Sequence, residues 1–339
     1  MPAVQSMPAG QNNAFASRGV SDGESGGALR DLSSREIEGL VESLNSLHEG
    51  ELGIDMLVAC GERAIEPLRR FLLHGTPSGI FLPRQRAVRA LAQLGAKDVL
   101  LEYLGSEQDI RDPVAAHGEE AVKNTAARAL SAWRTDDVYH ALRLALWKRK
   151  LTGVIEALGE FKRAEAVPEL IAALEDDYCR TAAEDALRKI GETAHALLIE
   201  AARTPDPSGV GERPTSQRRR RSALRLLETL LLSGEDWNRV AALVHDNDPE
   251  IVARASQIGL AVGSDRDREL AAKRLIEVLP KADWLLQGEI EMWIEAHLDL
   301  AMPMIDAEIR RRQQVGGPEA HDNVLRLLLS LREKSKVQS

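Results

Sequence analysis

The stretch Ala186 to Leu198, ALRKIGETAHALL, decides the fold because two short apolar runs in it are joined by a small turn at Gly191. Similar pairs of apolar runs occur earlier and later in the chain. One boundary between two such repeats, at Trp133, has no turn glycine. The glycines assigned to turns lie at intervals of 34, 64 and 32 residues: Gly61, Gly95, Gly159 and Gly191. Periods in the thirties are typical of helical hairpins that bury their apolar faces only by stacking on neighbours.

Composition favours helices over strands. Hydrophobic residues form 44% of the 339 residues but aromatic residues only 4%, so the core consists mainly of leucine and alanine. Such side chains suit closely packed helices and give little support to a sheet. The sequence therefore predicts an all-α fold, an α-solenoid (superhelix) of stacked helical hairpins.

Charge, cysteines and hydropathy exclude several classes of protein. The formal net charge of -9 argues against a general attraction to phosphate backbones. Cys60 and Cys179 lie 119 residues apart, which suits neither a disulfide framework nor a metal knuckle, so we expect buried free thiols in a reducing compartment. No run approaches eighteen apolar residues. We expect a cytoplasmic protein without membrane contact, metal or cofactor.

The predicted domain organisation is a tail followed by one stack. Residues 1–30 lack an apolar run and are predicted to be a disordered N-terminal tail, and residues 31–333 a single α-solenoid. A helix is expected to begin near Ser33, which Glu36 suits as a capping partner. Within the stack we expect the clearest repeats over 51–280, an irregular loop at 204–214 and a divergent C-terminal cap over 281–333.

A second irregular connection is predicted between Gly105 and Gly118. Its sequence contains Asp112 and Pro113, and the next helix is expected to begin at Glu119, whose carboxylate suits a helix N-terminus.

Two segments carry a resemblance to a known family. The runs EDDYCRTAAEDAL at 175–187 and HDNDPEIVARA at 245–255 resemble HEAT repeats, in particular the bacterial phycobilisome-lyase-like subgroup. The resemblance covers roughly residues 51–280. It implies that acidic turn residues and arginines on the second helices bond between neighbouring units, as a structural ladder: Asp176, Asp177, Arg180, Asp246, Asp248 and Arg254.

The second helices of such stacks line a concave face, and in this acidic chain they carry a basic series. One hypothesis is a groove for an acidic segment of another protein; the alternative is a set of arginines that are solvated or belong to the ladder. The candidate groove residues are Arg89, Lys123, Arg128, Arg188, Arg219, Arg221 and Arg225.

Four consecutive arginines, residues 218–221, raise the alternative of a module that binds nucleic acid. Aromatic residues for base stacking are absent nearby, and side chains on successive helix positions point in different directions. We therefore prefer a protein partner. A bilin lyase or isomerase, which the family resemblance implies, is the third candidate.

Tryptophans supply a further set of candidates. Trp133 and Trp147 are predicted to pack between hairpins. Trp284 and Trp293 lie in an acidic segment, where they either anchor a partner or seal the last hairpin.

The sequence contains no recognisable catalytic motif. The eight histidines are scattered, and there is neither a His-Glu-x-x-His motif nor a paired cysteine motif. We expect a non-catalytic scaffold for protein–protein interaction, without catalytic or metal-binding residues.

Overall fold

The protein is described by a computed structural model over residues 32–338, except 210, 231 and 316–321. The tail predicted for 1–30 lies outside these residues. In the described chain nearly all regular structure is helical, which confirms the all-α fold class. The longer helices are α1 (Ser34–Ser43), α2 (Gly50–Ala59), α3 (Ile65–His74), α4 (Leu82–Gln93), α5 (Lys97–Gly105), α6 (Pro113–Leu130), α7 (Asp136–Lys148), α8 (Thr152–Phe161), α9 (Val167–Ala173), α10 (Arg180–Ile190), α11 (His195–Arg203), α12 (Pro214–Thr229), α13 (Gly234–Val240), α14 (Pro249–Val262), α15 (Asp265–Val278), α16 (Trp284–Glu295), α17 (Leu298–Val315) and α18 (Asn323–Gln338).

Two compact units divide the described chain. The N-terminal unit contains 32–76 and Leu82–Ala96, and the C-terminal unit contains Pro77–Phe81 and 97–338. Each unit is a stack of helical hairpins. One continuous solenoid over 31–333 stays a prediction.

The N-terminal unit consists of α1 to α4. The Ser33 hydroxyl and the Glu36 carboxylate form a capping box at the start of α1, as the sequence predicts. Helices α1 and α3 contact each other, as do α2 and α4, and their buried leucines form the core of the unit.

Helices in the C-terminal unit alternate between two layers. In the even-numbered layer, α6, α8, α10, α12, α14 and α16 contact one another in chain order. In the odd-numbered layer, α5 contacts α7, and α11 contacts both α9 and α13. Each helix buries its apolar face against the other layer, which is the packing of stacked hairpins. The predicted groove residues of this unit lie on the even-numbered layer.

The turn glycines were identified correctly in three cases and wrongly in one. Gly61, Gly95 and Gly191 have φ values of 62°, 72° and 73°, which glycine adopts without a steric penalty. Gly159 instead lies inside α8, where a Cβ atom would sit 2.7 Å from the Cα of Ala186. Its role is close packing of α8 on α10, and the turn after α8 uses Lys162 at φ 53°.

Helix α6 begins earlier than the sequence interpretation placed it. The Asp112 carboxylate accepts hydrogen bonds from the backbone N–H groups of Val114 and Ala115, and Pro113 occupies the first turn. An aspartate before a proline is a strong helix start, so the prediction of an irregular segment up to Gly118 is wrong.

The segment predicted to be an irregular loop at 204–214 contains a small hairpin. Strands β1 (Pro207–Ser208) and β2 (Gly211–Glu212) pair antiparallel. The Glu212 carboxylate accepts hydrogen bonds from the Ser216 hydroxyl and from Arg220 Nη1, both on α12. These bonds hold the hairpin against the start of α12.

At the C-terminal end, α15 to α18 share one apolar core with α14. Buried residues of this core include Leu275, Ile290, Ile305 and Leu328, and Trp293 packs against it. Throughout the described chain, no helix has both the length and the apolar character needed to cross a membrane.

Candidate functional site

Arg128 and Arg188, two of the predicted groove residues, form ion pairs with glutamate or aspartate. Arg128 on α6 forms an ion pair with Glu156 on α8, with Nη2 3.3 Å from Oε1. Arg188 bonds Asp185 of its own helix, and its Nη2 lies 3.6 Å from Glu184 Oε2. Both arginines therefore already have a carboxylate partner.

In the N-terminal unit, Arg89 lies on α4 and places Nη1 2.8 Å from Glu51 Oε2 on α2. Arg86 of the same helix is more deeply buried and bonds the other oxygen of Glu51 at 3.0 Å. One carboxylate thus holds two guanidinium groups, and this contact joins α2 to α4.

Each of the four consecutive arginines, residues 218–221, bonds a different set of groups. Arg218 Nη1 lies 3.1 Å from Asp177, Arg219 Nη1 lies 2.5 Å from Glu175, and Arg221 bonds Asp248 through two nitrogens. Arg220 is 2% exposed and bonds Glu212, Asp246 and the carbonyl of Ala202. The tetrad ties α12 to the loops before and after it.

The residues that the family resemblance assigned to a ladder are spread over several kinds of contact. Asp176 accepts backbone hydrogen bonds from Tyr178 and Cys179, at 2.9 and 3.2 Å, which caps the turn before α10. Asp177 lies 3.0 Å from Arg180, three residues along the chain. Both are contacts local to one turn, except that Asp177 also meets Arg218.

Asp246 and Asp248, in contrast, reach the preceding repeat. Asp246 bonds Arg220, and Asp248 bonds Arg221, so the acidic turn before α14 is fastened to α12. Asp248 also caps α14 by accepting from the N–H groups of Glu250 and Ile251. One predicted groove residue, Arg221, thus binds one predicted ladder residue, Asp248.

The densest cluster surrounds Arg254 on α14, which is 5% exposed. Its guanidinium lies 3.0 Å from Glu228 on α12, 3.0 Å from Glu250 on its own helix and 2.9 Å from Glu289 on α16. Arg225 continues the series, bonding Glu250 at 2.8 Å and Glu184 on α10 at 3.3 Å. We call these six side chains the Arg254 network.

Burial and ion pairing act in opposite directions within this network. Burial raises the pKa of Glu228 to about 7, although Arg254 acts to lower it. Burial also acts to raise the pKa of Glu250, but hydrogen bonds from Arg225 and Arg254 lower it overall. Glu184 and Glu250 also have Arg188 at 3.6 Å and Arg221 at 3.5 Å, whereas Glu228 forms its ion pair with Arg254, and the burial of Glu228 outweighs that pair.

Sequence reasoning missed Arg220, Glu184, Glu228, Glu250 and Glu289. Two of them carried a readable signal, Glu250 beside Arg254 and Glu184 beside Arg188, because residues four apart on a helix are neighbours. The other carboxylate partners of Arg225 and Arg254 lie 25 to 41 residues away along the chain.

A different surface of the even-numbered layer is apolar and open. On α16, Trp284 is 83% exposed and Leu285 and Met292 are each 60% exposed. Gly288 lies between them, and apart from its two chain neighbours and the nearby backbone of α16, no heavy atom of the described residues comes within 4 Å of the position a Cβ atom would take. At 3.6 residues per turn these four residues share one side of the helix. We call this side the α16 face.

Carboxylates border the α16 face. Asp283 caps the helix by accepting the N–H of Leu286. Glu291 and Glu295 lie 3.6 and 2.7 Å from the ammonium of Lys334 on α18, and Glu289 belongs to the Arg254 network. Helix α16 carries three glutamates and no basic residue, and because Glu291 and Glu295 share the single ammonium of Lys334, this pair of glutamates keeps a net negative charge.

The tryptophans differ from one another in their surroundings. Trp293 is half-buried, with the Arg254 guanidinium 5.9 Å from its ring centroid, so it contributes to the core. Trp133 is half-buried as well. Trp147 on α7 is 81% exposed, so the prediction that it packs between hairpins is wrong. Leu144, one turn earlier, is 54% exposed.

Both cysteines are buried free thiols, as predicted. Burial raises the pKa of the Cys60 thiol, and it raises that of Cys179 to about 11. Neither is activated as a thiolate. In the described residues, no group of three or more His, Cys, Asp or Glu side chains is arranged to hold a metal ion.

Comparison with known proteins bears on one hairpin. The family model described as "PBS lyase HEAT-like repeat" matches residues 152–176, which span α8, a short 3₁₀ turn and α9. No curated protein matches the chain significantly. The matched hairpin lies in a stack of similar hairpins, and the chain is a helical-repeat protein that resembles the PBS lyase HEAT-like family.

Proposed function

We propose that this protein is a non-catalytic scaffold whose α16 face binds a partner protein. The partner contributes an amphipathic helix with basic residues beside its apolar side. The observation that carries the proposal is the exposed group of Trp284, Leu285 and Met292 on one side of a well-packed helix. Single exposed apolar residues are ordinary, but several on one helix side are typical of a binding surface.

Gly288 supports a close approach by the partner. It lies at the centre of the α16 face, with open space at its Cβ position among the described residues. A partner helix crossing here approaches the backbone of α16 closely and packs its own side chains between Trp284 and Met292. Trp284 then serves as the anchor, since tryptophan dominates many interfaces.

Charge decides the character of the partner. Asp283, Glu291 and Glu295 border the face, and among the basic side chains described, Lys334 is the one that forms ion pairs with the two glutamates. A segment with lysine or arginine beside its apolar stripe complements this border. The sequence interpretation favoured an acidic partner because it counted the arginines as available.

The pairing of those arginines is also why we prefer a protein partner over nucleic acid. Arg219 and Arg221 bind Glu175 and Asp248, so a phosphate backbone would have to displace carboxylates that are already in place. The word lyase describes the family whose repeat model matches residues 152–176. The matched hairpin contains no residue of the α16 face, so the match gives this face no lyase role.

Affinity capture from the native host tests the proposal, with a matched pair of variants. One carries Trp284→Ala and Met292→Ala; the control carries Trp147→Ala and Leu144→Ala, which also removes an exposed tryptophan and an exposed aliphatic side chain. We expect a protein that the wild type and the control retain and that the α16 variant loses.

A synthetic peptide of that protein's basic amphipathic segment is then titrated against the full chain. We expect Trp284→Ala to weaken binding by roughly thirtyfold, the effect of losing about 2 kcal/mol at an anchor residue. Equal capture by both double variants, or a partner held equally well after Trp284→Ala, would refute the proposal.

A further inference from the structure

Helices α5, α6 and α7 surround a cavity that the function proposed above does not use. Its volume is about 390 Å³, which lies in the range of pockets that hold small molecules. Apolar side chains, among them Leu104, Ile110 and Leu151, form part of its wall. Three basic side chains also line it: Lys123, Lys148 and Arg149.

Two of these cations have carboxylate partners on the protein surface. Lys148 bonds Glu107, and Arg149 Nη1 lies 3.2 Å from Glu120 Oε1. Both pairs are substantially exposed, and exposed pairs of this kind contribute little to stability. A ligand therefore displaces or shares them at low cost.

Lys123 differs from the other two. It is half-buried, its ammonium donates to the carbonyl of Ser106, and no carboxylate of the described residues forms an ion pair with it. Glu119, which also lines the cavity, accepts a hydrogen bond from the Tyr103 hydroxyl at 2.7 Å. Lys123 is thus the cation of this cavity whose charge lacks a direct counter-ion.

The electrostatics of Lys123 agree with this geometry. Burial lowers the pKa of Lys123, and the positive charges of Arg149 and Lys148 act in the same direction, while Glu119 and Glu107 oppose it. An anion placed beside the Lys123 ammonium would favour its charged form.

We propose that this cavity binds a small organic acid, with its carboxylate at Lys123 and its apolar body along Leu104, Ile110 and Leu151. One cation without an ion pair calls for one negative charge, which a monocarboxylate supplies. A phosphate dianion would bring a second charge close to Glu119 and Glu107, where it would be repelled. Lys148 and Arg149 lie at the same cavity and add attraction without being required as sole partners.

Isothermal titration of the full chain with hexanoate, 1-hexanol and hexylamine at constant ionic strength tests this proposal. We expect saturable binding of hexanoate, binding of 1-hexanol that is weaker by about tenfold or more, and none of hexylamine, because only hexanoate pairs with Lys123. Lys123→Met keeps a similar side-chain volume and should weaken hexanoate binding by about tenfold or more, the effect of losing a charged hydrogen bond. Lys273→Met, at an exposed lysine on α15, is the control and should leave binding unchanged.

A second variant keeps the test decisive if Lys123→Met does not fold. Ala145→Leu fills part of the cavity from α7 and should weaken hexanoate binding while Lys123 remains. A blocked peptide with a single glutamate is the remaining arm: tighter binding of this peptide than of hexanoate would assign the site to a partner's side chain and overturn the small-molecule proposal. Equal binding of hexanoate and 1-hexanol, or binding unaffected by both variants, would overturn it as well.

Discussion

Replacing Arg254 by methionine removes the cation that joins α12, α14 and α16. The three contacts that disappear are those to Glu228, Glu250 and Glu289, at 3.0, 3.0 and 2.9 Å. The loss of the ion pair with Arg254 destabilises the three carboxylates to different extents. Glu250 keeps Arg225 at 2.8 Å, and the side chain of Glu289 is 33% exposed and reaches water.

Glu228 therefore determines the magnitude. It is largely buried, and Arg254 is its ion-pair partner among the described residues. Breaking a buried pair by removing one partner costs about 3–5 kcal/mol, and we expect the lower end because Glu228, with a pKa near 7, escapes by taking up a proton. About 3 kcal/mol corresponds to a fall in Tm of roughly 4 °C for a chain of 339 residues, because the entropy of unfolding grows with chain length.

Thermal unfolding followed by circular dichroism at pH 7.5 measures the effect, with Arg188→Met as the control. Arg188 is exposed and pairs within its own helix, so its loss should change stability by less than about 0.5 kcal/mol. Adding Glu228→Met to Arg254→Met should restore most of the loss, because an apolar pair replaces an unpaired charge. The reasoning is refuted if Arg254→Met unfolds like Arg188→Met, or if the second substitution adds its own destabilisation.

Further predictions address packing, pH and nucleic acid. A Cβ atom at Gly153 would lie 2.4 Å from the Asn124 carbonyl oxygen, so Gly153→Ala should destabilise by about 1–3 kcal/mol in urea unfolding, whereas Gly39→Ala, with nothing within 4 Å among the described residues, should not. Because the folded-state pKa of Glu228 is raised from 4.5 to about 7, its ionisation removes stability as pH rises through that window, by up to roughly 3 kcal/mol. The Tm advantage of Glu228→Gln over wild type should therefore be larger at pH 8 than at pH 5, and an equal advantage at both would contradict the assignment. Fluorescence anisotropy with labelled single- and double-stranded DNA and RNA should show no binding at physiological salt, and submicromolar affinity there would favour the nucleic-acid alternative.

Short sequence patterns correctly predicted several turns of the fold. The turn glycines Gly61, Gly95 and Gly191 were readable because a left-handed turn between two helices has a clear residue preference. Gly159 belongs to the same phrase but serves another purpose, and the phrase alone could not separate a turn from a close helix contact. Asp112 and Pro113 did carry a signal for the start of α6, which the interpretation overlooked.

The arginine partners could not be predicted from spacing. Arg221 and Asp248 lie 27 residues apart, and only the stacking of α12 on α14 brings them together. A basic series along the second helices is visible in the sequence, but the carboxylates that pair with Arg128, Arg219, Arg221 and Arg225 lie on other elements of the stack, whereas Arg188 pairs within its own helix. The exposure of the tryptophan side chains could not be predicted from the sequence either. Trp147 and Trp293 both lie in helices, and the packing of neighbouring helices leaves the first exposed and the second half-buried.

The most direct test of the partner-binding claim is site-specific photo-crosslinking in the native host. A benzophenone amino acid replaces Met292 on the α16 face in one strain and Trp147 on α7 in another. We predict a discrete cross-linked protein from position 292, joined through a basic amphipathic segment, and no such product from position 147. A product from position 147 alone, or a segment at position 292 that is acidic, would contradict the account.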